Sequence, residues 1–119
     1  MAYLHRYLDG DPLDLPVGKV VCIGRNYLDH IRELSNVVPE TPILFMKPTT
    51  ALISLDDPIR LPTGRGECHH EIELAVLIGR ELQNADAETA AQAVAGYGVA
   101  LDLTLRDLQT TLKKQGHPW

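Results

Sequence analysis

The stretch Glu71–Ile78 constrains the fold most, because apolar residues recur in it at every second position. These residues are Ile72, Leu74, Val76 and Ile78. Such alternation is typical of a β-strand, in which successive side chains point to opposite faces. Glu71 and Glu73 therefore share the other face, where their carboxylates repel each other unless a cation, a basic group or water neutralises them. A hard divalent cation explains the pair, and so does a solvated strand face.

A second strand is predicted at 96–104, with its own apolar and polar faces. Its apolar face would carry Tyr97, Val99, Leu101 and Leu103. Asp102 lies on the other face, among small residues that leave space for a ligand. If the two strands are neighbours in one sheet, Asp102 joins Glu71 and Glu73 in a three-carboxylate site of metal-binding type.

Composition excludes several classes of protein. A chain of 119 residues has room for one small domain. Its net charge of −5 argues against a nucleic-acid or anionic-membrane partner. The sequence contains neither an apolar run of membrane-helix length nor a signal-peptide core, so we expect a cytoplasmic protein. Cys22 and Cys68 are expected to be reduced thiols, and the carboxylates near Cys68 favour a hard ion over zinc.

The rest of the chain predicts short strands and short helices. Further strands are expected at 3–8, 19–23, 43–46, 51–55 and 59–61. Helices are expected at 27–34, from Asp86 to a stop at Gly96, and from a capping box of Thr104 and Asp107 to a stop at Gly116. This strand-rich mixture indicates an α+β fold.

Several motifs occur in an order that resembles one known family. They are Gly24-Arg25-Asn26-Tyr27, His30 with Glu33, Phe45-Met46-Lys47-Pro48, the stretch from His70 to Gly79, the stretch from Asp102 to Asp107, and Gly116-His117-Pro118-Trp119. Over residues 19–119 they resemble the fumarylacetoacetate hydrolase family, particularly its small acylpyruvase and oxaloacetate decarboxylase-like members. The resemblance implies a mixed β-roll with short helices, of which residues 1–119 would form the N-terminal half as one catalytic domain. An isolated half would leave sheet edges and apolar faces uncovered.

The resemblance also implies roles for individual residues. Glu71, Glu73 and Asp102 would hold Mg²⁺ or Mn²⁺, and His70 would orient one of these carboxylates. The implied substrate contacts are Arg25, Lys47, Arg106 and Gln109. Without the family, Arg106 is equally well explained as one member of a surface salt bridge.

His30 and Glu33 are neighbours on the predicted helix at 27–34. A carboxylate beside an imidazole raises its basicity, as a general base requires, although an incidental pair on a surface helix has the same spacing. The resemblance implies that His30 and Glu33 are the acid/base couple, carried on a lid helix at about residues 27–36.

The implied function is hydrolysis of a carbon–carbon bond in acylpyruvate or β-diketo acid substrates by a Mg²⁺- or Mn²⁺-dependent enzyme. The cation would stabilise the negative charge that develops as the bond breaks, and His30 would activate water. An oxaloacetate decarboxylase, or a hydratase or isomerase of the same superfamily, would use nearly the same residues. A noncatalytic, truncated cation-binding module is the alternative from another class. We expect a small anionic 2-oxo or β-diketo acid as partner, and a homodimer.

Overall fold

The computed structural model describes residues 2–35 and 37–119. The chain divides into two compact units, the first ending at Pro58 and the second comprising Ile59–Trp119. The elements are β1 (Val20–Gly24), α1 (Leu28–Glu33), β2 (Ile43–Lys47), a 3-10 helix (Thr49–Ala51), β3 (Cys68–Ile78), α2 (Ala87–Gln92), β4 (Val94–Leu105) and α3 (Arg106–Gln115). The α+β expectation is confirmed. None of the described helices combines the length and the apolar character that a membrane span needs.

In the first unit, β1 and β2 form an antiparallel ribbon, as their apolar runs predict. The register sets Cys22 opposite Phe45 and Val20 opposite Lys47, and these four residues share the half-buried face. The opposite face is apolar and exposed, and it carries Val21, Ile23, Leu44 and Met46. β2 ends at Lys47 because Pro48 has no N–H to continue a ladder.

The prediction of a strand at 3–8 is wrong. The chain instead turns at Gly10, whose φ of +93° favours glycine, and makes an isolated bridge between Arg6 and Pro12. Because Pro12 has no N–H, the bridge does not grow into a ladder. The strands predicted at 51–55 and 59–61 are also wrong, since neither segment pairs with a named strand.

In the second unit, β3 and β4 form a long antiparallel ribbon, which confirms that the two patterned strands are neighbours. The register sets Glu71 opposite Asp102 and Glu73 opposite Ala100. Residues directly opposite one another point to the same side of a ribbon, and so do residues two apart along a strand. All three carboxylates therefore lie on one face, which we call the carboxylate face.

The helix between these strands begins as predicted and ends earlier. The Asp86 carboxylate accepts a hydrogen bond from the Thr89 backbone N–H at 2.7 Å, which caps α2 and lowers the pKa of Asp86 below its usual 3.8. The prediction that Gly96 stops this helix is wrong. The helix gives way at Ala93, its C-cap, and Gly96 lies inside β4.

The capping box predicted for the last helix is also wrong. Thr104 belongs to β4, Leu105 is the N-cap of α3, and the Asp107 carboxylate accepts a hydrogen bond from the Glu67 backbone N–H at 2.9 Å. The predicted stop at Gly116 is confirmed, because this residue adopts the left-handed conformation with φ +70°.

Burial in the chain is shallow. Among the described hydrophobic residues only Ile31 and Ala93 are fully buried, at 2% and 4% exposure. The ribbon face opposite the carboxylate face is apolar and largely open, with Ile72 at 68% and Tyr97 at 73% exposure. The expectation that apolar faces stay uncovered is therefore confirmed.

Candidate functional site

The carboxylate face is the candidate site in the second unit. Glu71, Glu73 and Asp102 are half-buried, whereas Ile72 between the two glutamates is exposed. Directly opposed Cα atoms in an antiparallel pair lie about 4.5–5.5 Å apart, so Glu71 and Asp102 bring two carboxylates close together. Next to them the face carries Ala100, whose small side chain leaves room for a ligand.

Arg106 is the basic group that meets this face. Its Nη2 forms an ion pair with Glu71 Oε1, and its Nη1 donates to Gln109 Oε1 at 2.8 Å. Its Nε donates to His69 Nδ1 at 3.3 Å. The Arg106 and Glu71 side chains are only 21% and 27% exposed, which reduces the screening of their attraction by water.

The loop before β3 fixes the start of α3 beside this face. The Glu67 carbonyl accepts from the Arg106 backbone N–H at 3.0 Å, while the Glu67 N–H donates to Asp107. Gly66 has a φ of +77°, and a Cβ at this position would lie 2.3 Å from Asp107 Oδ2. Only glycine lets the loop approach α3 so closely. The backbone of Glu67 thereby holds Arg106 at the end of the carboxylate face.

The donor set fits a hard divalent cation in type. Carboxylate oxygens on one face suit Mg²⁺ or Mn²⁺, which keep further positions for water or substrate. The arrangement of the side chains is less complete, because an oxygen of Glu71 is engaged by Arg106. Within residues 2–35 and 37–119, no three His, Cys, Asp or Glu side chains form a group ready to hold a metal ion. The shared face is therefore established, and the metal role of Glu71, Glu73 and Asp102 stays a prediction.

The role predicted for His70 requires a correction. His70 pairs with Leu103, so its side chain lies on the face opposite Glu71 and cannot orient that carboxylate directly. It lines a shallow pocket together with Ile59, Leu61, Cys68, Leu101 and Leu103. His69, which sequence reasoning passed over, is the histidine that shares the face of Glu71. The signal was present in the sequence, because His69 stands two residues before Glu71.

The first unit carries the other predicted site residues. His30 Nδ1 and Glu33 Oε2 are 3.9 Å apart on α1, with the two side chains 43% and 76% exposed. The predicted lid at 27–36 contains this helix and Asn36, which lies outside the described residues. Lys47 is half-buried at the end of β2. His30 and Glu33 are thus neighbours on α1, as their spacing predicts. The catalytic role of these two residues stays a prediction.

Arg25 has two unusual features. Its φ of +52° is rare for a residue with a side chain, and such backbone strain concentrates at functional sites. Its Nε is buried and has no hydrogen-bond partner among the described residues. A buried donor without a partner is costly, and the substrate contact expected of Arg25 stays a prediction.

Comparison with known proteins identifies the family. Residues 19–119 match the family model described as "Fumarylacetoacetate (FAA) hydrolase C-terminal". The chain belongs to the fumarylacetoacetate hydrolase family. It is 56% identical over 117 residues to the oxaloacetate tautomerase YcgM of Escherichia coli K12. The aligned region covers 98% of this chain and 53% of that protein. The expected family is thus confirmed, and the chain spans about half the length of the relatives it matches.

Solved structures of relatives confirm the fold. A putative fumarylacetoacetate hydrolase family protein from Yersinia pestis CO92 has a TM-score of 0.95 and 54% identity, covering 98% of this chain and 54% of that one. The fumarylpyruvate hydrolase of Pseudomonas aeruginosa, solved in complex with Mn²⁺ and pyruvate, has a TM-score of 0.78 and 39% identity, covering 87% of this chain and 47% of that one. The relatives of this chain therefore include an oxaloacetate tautomerase and a fumarylpyruvate hydrolase, and the latter was solved with a divalent metal.

Proposed function

We propose that the protein acts on a small 2-oxo dicarboxylic acid and catalyses the keto–enol tautomerisation of oxaloacetate. The observation that carries this proposal is the register of β3 and β4, which sets Glu71 opposite Asp102 on the face that meets Arg106. A cation and a carboxylate substrate both find complementary charge on this face. The identity of 56% to an oxaloacetate tautomerase supports the choice of substrate.

Glu71, Glu73 and Asp102 are the residues that would hold Mg²⁺ or Mn²⁺. When bound, the cation would polarise the 2-oxo group and stabilise the negative charge that enolisation develops on its oxygen. Support for this cation comes from the Pseudomonas aeruginosa relative, which was solved with Mn²⁺ and pyruvate. The three side chains of this chain supply the same class of hard oxygen donors.

Arg106 and Gln109 would bind the substrate. A guanidinium has five N–H donors, and the contacts described above use three of those of Arg106. One N–H on each terminal nitrogen is therefore left for a substrate carboxylate. A planar guanidinium can bind a carboxylate with two hydrogen bonds, one to each oxygen. Arg25, with its buried donor, and Lys47 are the corresponding proposals in the first unit.

His30, paired with Glu33, is proposed as the acid/base group. Tautomerisation moves a proton between carbon and oxygen, and an imidazole changes its charge close to neutral pH. His30 Nδ1 and Glu33 Oε2 lie 3.9 Å apart, so the carboxylate is close enough to orient the ring.

Tautomerase activity is tested by following the decay of the ultraviolet absorbance of oxaloacetate enol with Mg²⁺ or Mn²⁺ present. We expect the purified chain to accelerate the decay, Glu73→Gln to abolish the acceleration, and His30→Asn to reduce it strongly. Glu81→Gln removes an exposed carboxylate away from the ribbon and serves as the charge-matched control. A wild-type rate equal to that of the buffer, or equal rates in Glu73→Gln and Glu81→Gln, would refute the proposal.

Hydrolysis of acylpyruvates is the second candidate, and sequence reasoning placed it first. The observation that favours it is the likeness to a fumarylpyruvate hydrolase at a TM-score of 0.78. Release of pyruvate from an acylpyruvate, measured with coupled lactate dehydrogenase, identifies this hydrolysis. Release of carbon dioxide from oxaloacetate identifies a decarboxylase instead. Cation binding without turnover of any of these substrates would favour the alternative of a noncatalytic cation-binding module. A homodimer, to be tested by sedimentation, and a cytoplasmic location stay proposals.

A further inference from the structure

His69 lies at the start of β3, on the carboxylate face. It stands two residues before Glu71 and opposite Thr104 in the register of the ribbon. Both nitrogens of its ring have a partner: Nδ1 lies 3.3 Å from Arg106 Nε, and Nε2 lies 3.1 Å from Glu67 Oε2. The ring therefore bridges a carboxylate of the loop and the guanidinium at the candidate site.

These two contacts determine the tautomer of His69. The Arg106 guanidinium stays protonated in proteins, so its Nε can only donate. His69 Nδ1 must therefore be the unprotonated acceptor, and the ring proton must lie on Nε2, which donates to Glu67. The Glu67 carboxylate thus selects the tautomer that offers an acceptor to Arg106, in the way that a partner on one ring nitrogen generally defines the other.

The bond to His69 constrains the direction of the guanidinium. Arg106 Nη2 meets Glu71 and Nη1 meets Gln109, and these two contacts alone leave the planar group free to tilt about the line that joins them. The third contact at Nε defines the plane. Once the plane is defined, the directions of the two remaining N–H donors are fixed as well. Bidentate recognition of a carboxylate requires donors whose directions are fixed.

We infer that His69 is a positioning residue, which holds the Arg106 guanidinium through His69 Nδ1 so that Arg106 presents a fixed fork to the carboxylate of a 2-oxo acid. This inference rests on the proposed function, since it assigns Arg106 to the substrate. The register places His69 on the carboxylate face and His70 on the opposite face.

Two substitutions of His69 separate positioning from packing. In His69→Asn the amide oxygen can accept from Arg106 Nε at nearly the position of Nδ1, whereas His69→Leu keeps bulk and offers no acceptor. His70→Asn, one residue away on the opposite face, is the matched control. The first readout is the ¹⁵N–¹H NMR signal of Arg106 Nε, together with the ring ¹⁵N shifts that report the His69 tautomer. The second is the calorimetric affinity for pyruvate with Mg²⁺ present.

We expect wild-type His69 to carry its proton on Nε2 and the Arg106 Nε–H to exchange slowly with water. Loss of this bond in His69→Leu should accelerate that exchange and weaken pyruvate binding about tenfold, as for a hydrogen bond to a charged group, while His69→Asn and His70→Asn stay within about twofold of the wild type. Unchanged pyruvate affinity in His69→Leu, or an unchanged Arg106 signal, would overturn the inference. If the wild type binds no pyruvate, the proposed function fails, and the Arg106 signal alone then decides whether His69 holds the guanidinium.

Discussion

Replacing Gly66 with alanine should destabilise the second unit by breaking the contact between the loop and α3. Left-handed φ costs a residue with a Cβ about 1–2 kcal/mol, and Gly66 has a φ of +77°. The new Cβ would also lie 2.3 Å from Asp107 Oδ2, so the carboxylate must move away from the Glu67 N–H that it accepts from. Loss of that hydrogen bond adds about 1 kcal/mol. The sum is a decrease of about 2–3 kcal/mol in the free energy of unfolding.

Urea unfolding followed by circular dichroism measures this change, and the chain contains a matched control. Gly64 has a φ of +69°, and a Cβ added there would meet no heavy atom within 4 Å, so Gly64→Ala should lose only the backbone contribution. In a double-mutant cycle, Gly66→Ala should cost about 1 kcal/mol less when Asp107 is already alanine. Equal destabilisation by the two glycine substitutions, together with additivity in the cycle, would refute the close-contact argument.

The other predictions concern the helix cap and the cation site. The hydrogen bonds from Thr89 lower the pKa of Asp86 in the folded protein, so the cap stabilises α2 above pH 3.8 and is lost as the pH falls through that lowered pKa. Asp86→Ala should therefore lower the melting temperature at neutral pH. The difference in melting temperature between wild type and variant should shrink in acid. A melting difference that does not depend on pH would contradict this. Glu73→Gln should abolish metal-dependent turnover, whereas Cys68→Ser should leave Mn²⁺ affinity unchanged, because Cys68 lies on the opposite face. Tight retention of zinc that is lost in Cys68→Ser would contradict the assignment to a hard cation.

The sequence predicted the ribbon well because alternation is a local property. Period two located β3 and β4 and placed Glu71 and Glu73 on one face. The register that sets Asp102 opposite Glu71 is a long-range property, since α2 and its flanking loops separate the two strands. From the sequence, the convergence of Asp102 with Glu71 and Glu73 could be stated only on the condition that the two strands are neighbours.

The errors also have physical causes. The alternation at 3–8 met no partner strand, and an unpaired segment does not become a strand whatever its pattern. Thr104 pairs with His69 in the ribbon, and this pairing outweighed its spacing to Asp107 as a helix cap. The role assigned to His70 followed the family resemblance, although the period-two argument already applied to Glu71 places His70 on the opposite face.

Titration with Mn²⁺, followed by electron paramagnetic resonance, tests the central claim most directly. The wild-type chain is compared with Glu71→Gln, which keeps the shape of the side chain and its contact with Arg106 while removing the negative charge. If the carboxylate face is the cation site, Mn²⁺ binds the wild type and its affinity falls at least about tenfold in the variant. Equal affinity in the two proteins, or no binding in either, would contradict the assignment of Glu71, Glu73 and Asp102 to the metal.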